Sequence, residues 1–151
     1  MQVEIDQSGK IGNTGQDTVV AYSNADSFCV LIPRQVKREC LRYLRSQGVA
    51  VNTIYYRMFG IGLFYLLRER IDKIDLTLID VEYPGHEAAI RRYLLNLLRR
   101  DRIVVQPDKI RFSFIGKKSN AHKLGLETFQ GKRRADVTLT AGDILKQFGE
   151  K

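Results

Sequence analysis

Three short β-rich segments occupy most of the first 32 residues, and they constrain the fold more than any other feature of the sequence. Residues 2–7 alternate apolar and polar side chains, with Val3 and Ile5 on one face and acids, including Asp6, on the other. This period of two is that of a β-strand. Because only a short asparagine- and aspartate-containing turn joins the next two segments, we expect a three-stranded antiparallel meander. The second and third segments are Thr18–Ser23 and Ser27–Ile32.

After the meander, helical and strand patterns alternate to the end of the chain. Two helices come first, and single strands and helices then follow in turn. This order is typical of a mixed β-sheet with helices on both faces, so we predict one α/β domain over residues 1–151. The predicted elements are helices over 33–47 and 52–70, a strand over 74–81, a helix over 86–100, a strand over 109–115, a helix from its expected N-cap Ser119 to about Phe129, a short strand or extended loop over 135–139, and a helix from its expected N-cap Thr140 to Phe148.

The helix over residues 52–70 is apolar on nearly all sides. Its apolar residues include Tyr55, Met58, Ile61 and Leu66, which do not share one face. A helix of this kind is either central to the core or shared with another subunit. Both alternatives stay open at this stage, and the second favours a homodimer formed through residues 52–70.

The excess of basic residues lies in the second half of the chain. The formal net charge is +8, from 25 lysines and arginines against 17 aspartates and glutamates. Residues 1–85 contain 10 residues of each sign, whereas residues 86–151 contain 15 basic and 7 acidic residues. This asymmetry favours a polyanionic partner such as nucleic acid, and a solvated basic surface is the alternative.

Motif content argues against several functional classes. Cys29 and Cys40 form no CxxC pair, which argues against a disulfide scaffold or a zinc site. The absence of P-loop, GxGxxG and GxSxG motifs argues against nucleotide-driven enzymes and serine hydrolases. No secretory signal is recognisable, and only ten residues separate Arg57 from Arg68 around the most apolar segment, whereas a membrane span needs about 20. We therefore expect a soluble, cytoplasmic protein with no membrane partner.

Three short motifs place acidic or histidine side chains next to strand ends. The first strand reads EIDQSG and contains Asp6. The fourth strand ends in LIDVE, with Asp80 and then Glu82 on the same face. The third motif, IRFSFIGKKSNAHKL over residues 110–124, combines a strand, a basic turn and the start of a helix that carries His122. Neighbouring strand ends can bring such side chains to one point.

In this order, the elements and motifs resemble the ribonuclease H-like superfamily, and most closely the RuvC-type Holliday-junction resolvases. The resemblance implies that Asp6 is the metal-binding acid of the first strand. It also implies a carboxylate at the end of the fourth strand, a position that Asp80 fits and for which Glu82 is the rival. His122 matches a helix position that is aspartate in many members and histidine in some.

These residue types suit metal-dependent hydrolysis of a phosphodiester bond. Two divalent cations about 3.5–4 Å apart can activate a water molecule and stabilise charge on phosphorus, and Mg²⁺ or Mn²⁺ prefers carboxylate oxygens. We therefore predict catalytic roles for Asp6, Asp80 and His122, with metal ligation by these three and by Glu82. Basic residues after the fourth strand are expected to contact a phosphate backbone. They are Lys117, Lys118, Lys123, Lys132, Arg133 and Arg134.

The sequence departs from the family pattern after His122. A further acid is expected about one helical turn later, where residues 125 and 126 are glycine and leucine, and Glu127 lies five residues on. The leading hypothesis is a metal-dependent endonuclease acting on structured nucleic acid by a two-metal mechanism, with a Holliday junction as a candidate substrate. The departure keeps open the alternative of a non-catalytic nucleic-acid-binding or dimeric assembly module on the same fold.

Overall fold

The computed structural model describes residues 1–148, in which six strands form one mixed sheet. The strands are β1 (Gln2–Ser8), β2 (Thr18–Ser23), β3 (Ser27–Ile32), β4 (Leu76–Asp80), β5 (Ile110–Ser113) and β6 (Val137–Thr138). Their order across the sheet is β5-β4-β1-β2-β3-β6. The first three strands pair antiparallel, which confirms the predicted meander. The remaining strands pair in parallel, β4 with β1, β5 with β4, and β6 with β3.

Five α-helices within the described residues cover both faces of this sheet. They are α1 (Arg34–Ser46), α2 (Val51–Leu67), α3 (Glu87–Arg100), α4 (Asn120–Phe129) and α5 (Ala141–Phe148). Gly62 of α2 lies against the side chains of Val20 and Ile32, whereas Gly125 of α4 lies against Ala21. Because the adjacent strand residues Val20 and Ala21 point to opposite faces, α2 and α4 lie on opposite sides of the sheet.

The apolar helix α2 is the centre of the larger core layer. Eleven of its seventeen residues are buried within the chain, and it contacts the sheet, α1, α3 and α5. Gly60 permits close packing of α3, because a Cβ atom at this position would lie 2.9 Å from the Tyr93 ring. Burial inside one chain therefore explains the apolar sequence of residues 52–70 without a second subunit.

The polar face of β1 lies beneath α4. Asp6 and Ser8 are only 6% and 8% exposed. Gly125 allows the helix to approach, since a Cβ atom there would lie 3.1 Å from Oγ of Ser8. The absence of a side chain at Gly125 thus lets α4 pack closely against the polar face of β1. The arrangement brings the N-terminal part of α4 over the acid-bearing strand.

The ends of the elements differ from the predicted ends by a few residues. The helix predicted over 52–70 ends at Leu67 and is followed by a 3₁₀ turn over Ile71–Lys73. The segment over 135–139 contains the short strand β6. Residues 149–151 of the predicted domain lie outside the described residues. Among residues 1–148, no helix combines the length and the apolar character that crossing a membrane requires.

Candidate metal centre and its surroundings

Three acids meet at the C-terminal ends of two neighbouring parallel strands. Ile5 of β1 is paired with Ile79 of β4, so the residue that follows in each strand, Asp6 or Asp80, lies at the same level of the sheet. Glu82 follows β4 by two residues. Each of the three acids offers a carboxylate oxygen, and these oxygens all lie within 4.8 Å of one another. The sequence left Asp80 and Glu82 as alternatives for the carboxylate at the end of the fourth strand, and the structure brings both into this acid cluster.

His122 contacts the acid cluster from the first turn of α4. Its Nδ1 atom lies 2.7 Å from Oδ2 of Asp6, and its side chain is 26% exposed. The hydroxyl of Ser119, the predicted N-cap, accepts a hydrogen bond of 3.0 Å from the backbone N–H of His122 and so stabilises the start of the helix. Because an ionised Asp6 can only accept, Nδ1 is assigned as the donor, which leaves Nε2 able to take up a proton.

The basic turn between β5 and α4 is attached to the acid cluster through Asp80. The backbone N–H of Ile115 donates to Oδ1 of Asp80 at 2.7 Å. Lys117 and Lys118 are exposed on the turn that follows, and Lys123 is exposed in the first turn of α4. Three of the six residues predicted to contact a phosphate backbone thus lie within a few residues of Ile115 or His122, which bond to Asp80 and Asp6.

The other predicted basic segment lies at the opposite end of α4. Lys132, Arg133 and Arg134 are exposed after the helix, and the ten residues of α4 separate its ends by about 15 Å. Glu127 is also exposed, and it does not belong to the acids that the structure of residues 1–148 brings together. Neither this segment nor Glu127 is therefore part of the acid cluster.

Burial and mutual repulsion raise the pKa values of two carboxyl groups in the cluster. The pKa of Glu82 is raised to about 8, first by burial and then by the negative charges of Asp80 and Asp6. Burial also raises the pKa of Asp6, and the hydrogen bond from His122 opposes this rise. Carboxyl groups this close together repel one another when ionised, so at neutral pH the Glu82 carboxyl keeps its proton.

Aromatic side chains hold the loop between β4 and α3 against the protein. The hydroxyl of Tyr83 donates to Oε1 of Gln7 at 3.2 Å, and the Tyr83 ring lies 5.2 Å from that of Phe59. Tyr56 stacks on His86 with ring centroids 4.1 Å apart, and its hydroxyl lies 2.8 Å from Nε2 of that histidine. The sequence did not predict this network. Its loop residues flank a Pro-Gly turn, and a turn has no repeating pattern of apolar and polar residues from which contacts could be predicted.

A buried lysine holds the loop between β1 and β2. The side chain of Lys37, on α1, is 1% exposed. Its ammonium group donates to the backbone oxygens of Lys10 and Asn13 at 3.1 and 2.8 Å, and to Oγ1 of Thr18 at 3.0 Å. The positive charge of Lys10 lowers the pKa of Glu82, against the larger effects that raise it. The loop that Lys37 holds therefore borders the acid cluster.

The structure thus brings together Asp6, Asp80 and Glu82, three of the four predicted metal ligands, whereas His122 contacts this cluster through its hydrogen bond with Asp6. No family model, curated protein or solved structure matches this chain. The functional interpretation therefore depends on the chemistry of these four side chains and of their neighbours.

Proposed function

We propose that this chain is a metal-dependent endonuclease that hydrolyses phosphodiester bonds in structured nucleic acid. The observation behind this proposal is the acid cluster of Asp6, Asp80 and Glu82, whose carboxylate oxygens lie within 4.8 Å of one another. Carboxylates are the ligands that hard cations such as Mg²⁺ and Mn²⁺ prefer. A bound pair of such cations would supply an activated water molecule and stabilise the charge that develops on phosphorus.

The donor set fits a divalent cation in charge as well as in atom type. The raised pKa of Glu82, about 8, reflects burial first and then repulsion from Asp80 and Asp6, and a nearby cation would relieve that repulsion. The N–H of Ile115 holds one oxygen of Asp80 and leaves the other for a ligand. The backbone thus fixes the direction of this carboxylate before any cation binds.

His122 would orient Asp6 and transfer a proton. Its Nδ1 atom holds one Asp6 oxygen at 2.7 Å, so the Asp6 carboxylate has a fixed direction. Imidazole is the side chain that most often transfers protons in hydrolysis, and Nε2 is the nitrogen left for that task. Lys117 and Lys118, on the turn before α4, and Lys123, next to His122 in the sequence, are exposed and would hold the phosphate backbone.

The arrangement of the sheet supports a ribonuclease H-like fold as part of this proposal. An antiparallel meander is extended by the parallel strands β4 and β5, and the acid-bearing β1 lies between β4 and β2. The RuvC-type resolvases, which the motifs resemble, act on branched DNA, so we include a Holliday junction as a substrate and a homodimer as the active form. Since α2 is largely buried, such a dimer would need a surface other than the buried sides of this helix.

Cleavage assays test this function directly. Labelled four-way DNA junctions, RNA/DNA hybrids and linear duplexes are incubated with the protein in Mg²⁺, in Mn²⁺ or in EDTA. The wild type is expected to cleave at least one of them, and only with a divalent cation. Asp80→Asn keeps the shape of the side chain and removes its charge, so its activity should fall to background, whereas Glu127→Gln, at an exposed acid outside the cluster, should remain active. Equal cleavage by Asp80→Asn and wild type would refute the proposal.

A non-catalytic nucleic-acid-binding module on the same fold is the second candidate. The observation that favours it is that the cluster contains three carboxylates among residues 1–148, while Glu127 is exposed outside it. This candidate predicts binding that weakens steeply with salt and needs no divalent cation. A stoichiometric Mn²⁺ site that disappears in Asp6→Asn would argue against it. A dimeric assembly module, in contrast, would bind no nucleic acid even at low salt.

A further inference from the structure

Two separate cavities, of about 280 and 520 Å³, lie along the contact between α2 and α3, on the face of the sheet opposite α4. We refer to the two together as the α2–α3 groove. The first lies between the N-terminal parts of the two helices, and the second lies between their C-terminal ends and α5. The charged residues that line this α2–α3 groove are Arg57, Arg68, Arg92, Arg100, Asp101 and Lys146.

Helical spacing places the basic residues along the whole groove. On α3, Arg92, Asn96 and Arg100 recur every four residues and so share one face. On α2, Arg57 and Arg68 are eleven residues apart, which is close to three full turns. At about 1.5 Å per residue, the arginines are separated by about 12 Å on α3 and about 16 Å on α2. The groove therefore presents two roughly parallel rows of positive charge.

Carboxylates within residues 1–148 do not pair with these charges, although Arg100 donates a hydrogen bond of 3.2 Å to the backbone oxygen of Gln147. Within residues 1–148, none of the five basic side chains of the groove belongs to an ion pair, and Asp101 is the one acid among the lining residues. Arg91 differs from its neighbour Arg92, because its Nε donates to the backbone oxygen of Ile110 at 2.8 Å. One arginine of this pair thus stabilises the fold, while the other is exposed at the groove.

Tyr93 lies between an arginine of α2 and an arginine of α3. The guanidinium of Arg57 lies 5.3 Å from the centroid of the Tyr93 ring. Burial raises the pKa of the Tyr93 hydroxyl, and the charges of Arg57 and Arg100, together with a hydrogen bond with Arg100, oppose this rise. Tyr93 thus contacts a basic side chain from each helix.

We propose that the α2–α3 groove binds the sugar-phosphate backbone of a single nucleic acid strand, as a contact surface separate from the acid cluster. The rows of arginine, about 12 and 16 Å long, are long enough to contact more than one phosphate of a strand. The rings of Tyr56 and Tyr93 line the first cavity, but they already contact His86 and Arg57. The positive charge is therefore the feature that favours a polyanionic strand. The proposal goes beyond the endonuclease assignment and does not require that the acid cluster be catalytic.

The test measures binding of a labelled oligothymidine by fluorescence anisotropy in EDTA, between about 50 and 200 mM salt. Arg92→Gln/Arg100→Gln removes two exposed charges from the groove, and circular dichroism checks that this variant folds. For single strands each phosphate contact contributes about 0.7 to the slope of log K against log salt. Loss of two contacts should therefore reduce the slope by about 1.4 and the affinity at 0.1 M salt by about 25-fold. Arg38→Gln/Arg42→Gln, at two exposed positions on α1, makes the same change in net charge and should keep the wild-type slope.

Three results would overturn this proposal. Equal losses in the two double variants would show that net charge, and not the groove, determines binding. No binding by the wild type at low salt would exclude a nucleic acid partner, and equal competition by a glutamate peptide of matched charge would indicate a protein partner. Binding that persists in Asp80→Asn supports a surface separate from the acid cluster, even if the wild type proves unable to cleave nucleic acid.

Discussion

Replacing Glu82 with glutamine is expected to stabilise the protein at alkaline pH and to change its stability little at acidic pH. Folding raises the pKa of this carboxyl from 4.5 to about 8, so the folded state holds the proton more tightly than the unfolded state. The contribution of Glu82 to the free energy of unfolding is therefore fully present below pH 4.5 and is lost as the pH rises through about 8. Glutamine has nearly the same shape and never ionises, so the variant avoids this loss.

The size of the effect follows from the two pKa values. The interval between 4.5 and about 8 corresponds to at most about 5 kcal/mol, at about 1.36 kcal/mol per pH unit. Partial exposure of the side chain screens the charges, and we expect roughly 3 kcal/mol. For a chain of this length, about 2–4 °C of melting temperature corresponds to 1 kcal/mol. The variant should therefore melt roughly 6–12 °C above the wild type at about pH 9, and within about 2 °C of it at about pH 5.

Thermal unfolding followed by circular dichroism in EDTA measures this difference across the pH range. Glu127→Gln is the matched control, because Glu127 is an exposed acid outside the acid cluster and its replacement should shift melting little at any pH. Addition of Mg²⁺ at about pH 9 should raise the melting temperature of the wild type more than that of Glu82→Gln. A difference between Glu82→Gln and wild type that stays constant with pH would refute the proposed repulsion.

The remaining predictions concern Asp80, Gly9 and Lys37. Asp80→Asn should lose most of the Mn²⁺-induced rise in melting temperature, because a ligand stabilises the fold only as far as it binds. Gly9→Ala should lower the free energy of unfolding in urea by more than about 2 kcal/mol, since the φ angle of Gly9 is +76° and the new Cβ would lie 2.2 Å from the backbone oxygen of Asp17. Gly48→Ala is the control. The φ angle there is +85° but the space around it is open, so this change should cost about 1–2 kcal/mol. Lys37→Met should cost about 3 kcal/mol through three lost hydrogen bonds. Because burial lowers the pKa of Lys37 to about 8 from 10.5, that deficit in urea unfolding should grow as the pH rises between these values.

Local periodicity was sufficient to predict most of the sheet and helices. The alternation around Val3 and Ile5 identifies β1, and the short turn after Thr18–Ser23 predicts that β2 and β3 pair antiparallel. The N-caps of two helices could also be predicted. Ser119 accepts a hydrogen bond from the first turn of α4, and the hydroxyl of Thr140 accepts one from the N–H of Asp143.

Contacts between distant segments could not be predicted in this way. Lys37 falls on the face of α1 that also carries buried Cys40 and Leu44, and this placement is a signal for a buried lysine, but its acceptors lie in a loop with no period. The sequence does not distinguish the roles of the two neighbouring arginines 91 and 92. Only the position of β5 shows that the Nε of Arg91 bonds to the backbone oxygen of Ile110.

The acid cluster lowers the stability of the fold as the pH rises. The buried ammonium of Lys37 has three hydrogen-bond acceptors, which offset part of the cost of its burial, although burial still lowers its pKa to about 8. Burial, two neighbouring carboxylates and a hydrogen bond with Asp80 raise the pKa of Glu82, and Lys10 acts in the opposite direction. An amide at this position would remove the repulsion and keep the shape of the side chain. Because ionisation of these acids lowers stability as the pH rises, the cation proposed at the ends of β1 and β4 would offset the repulsion when it binds.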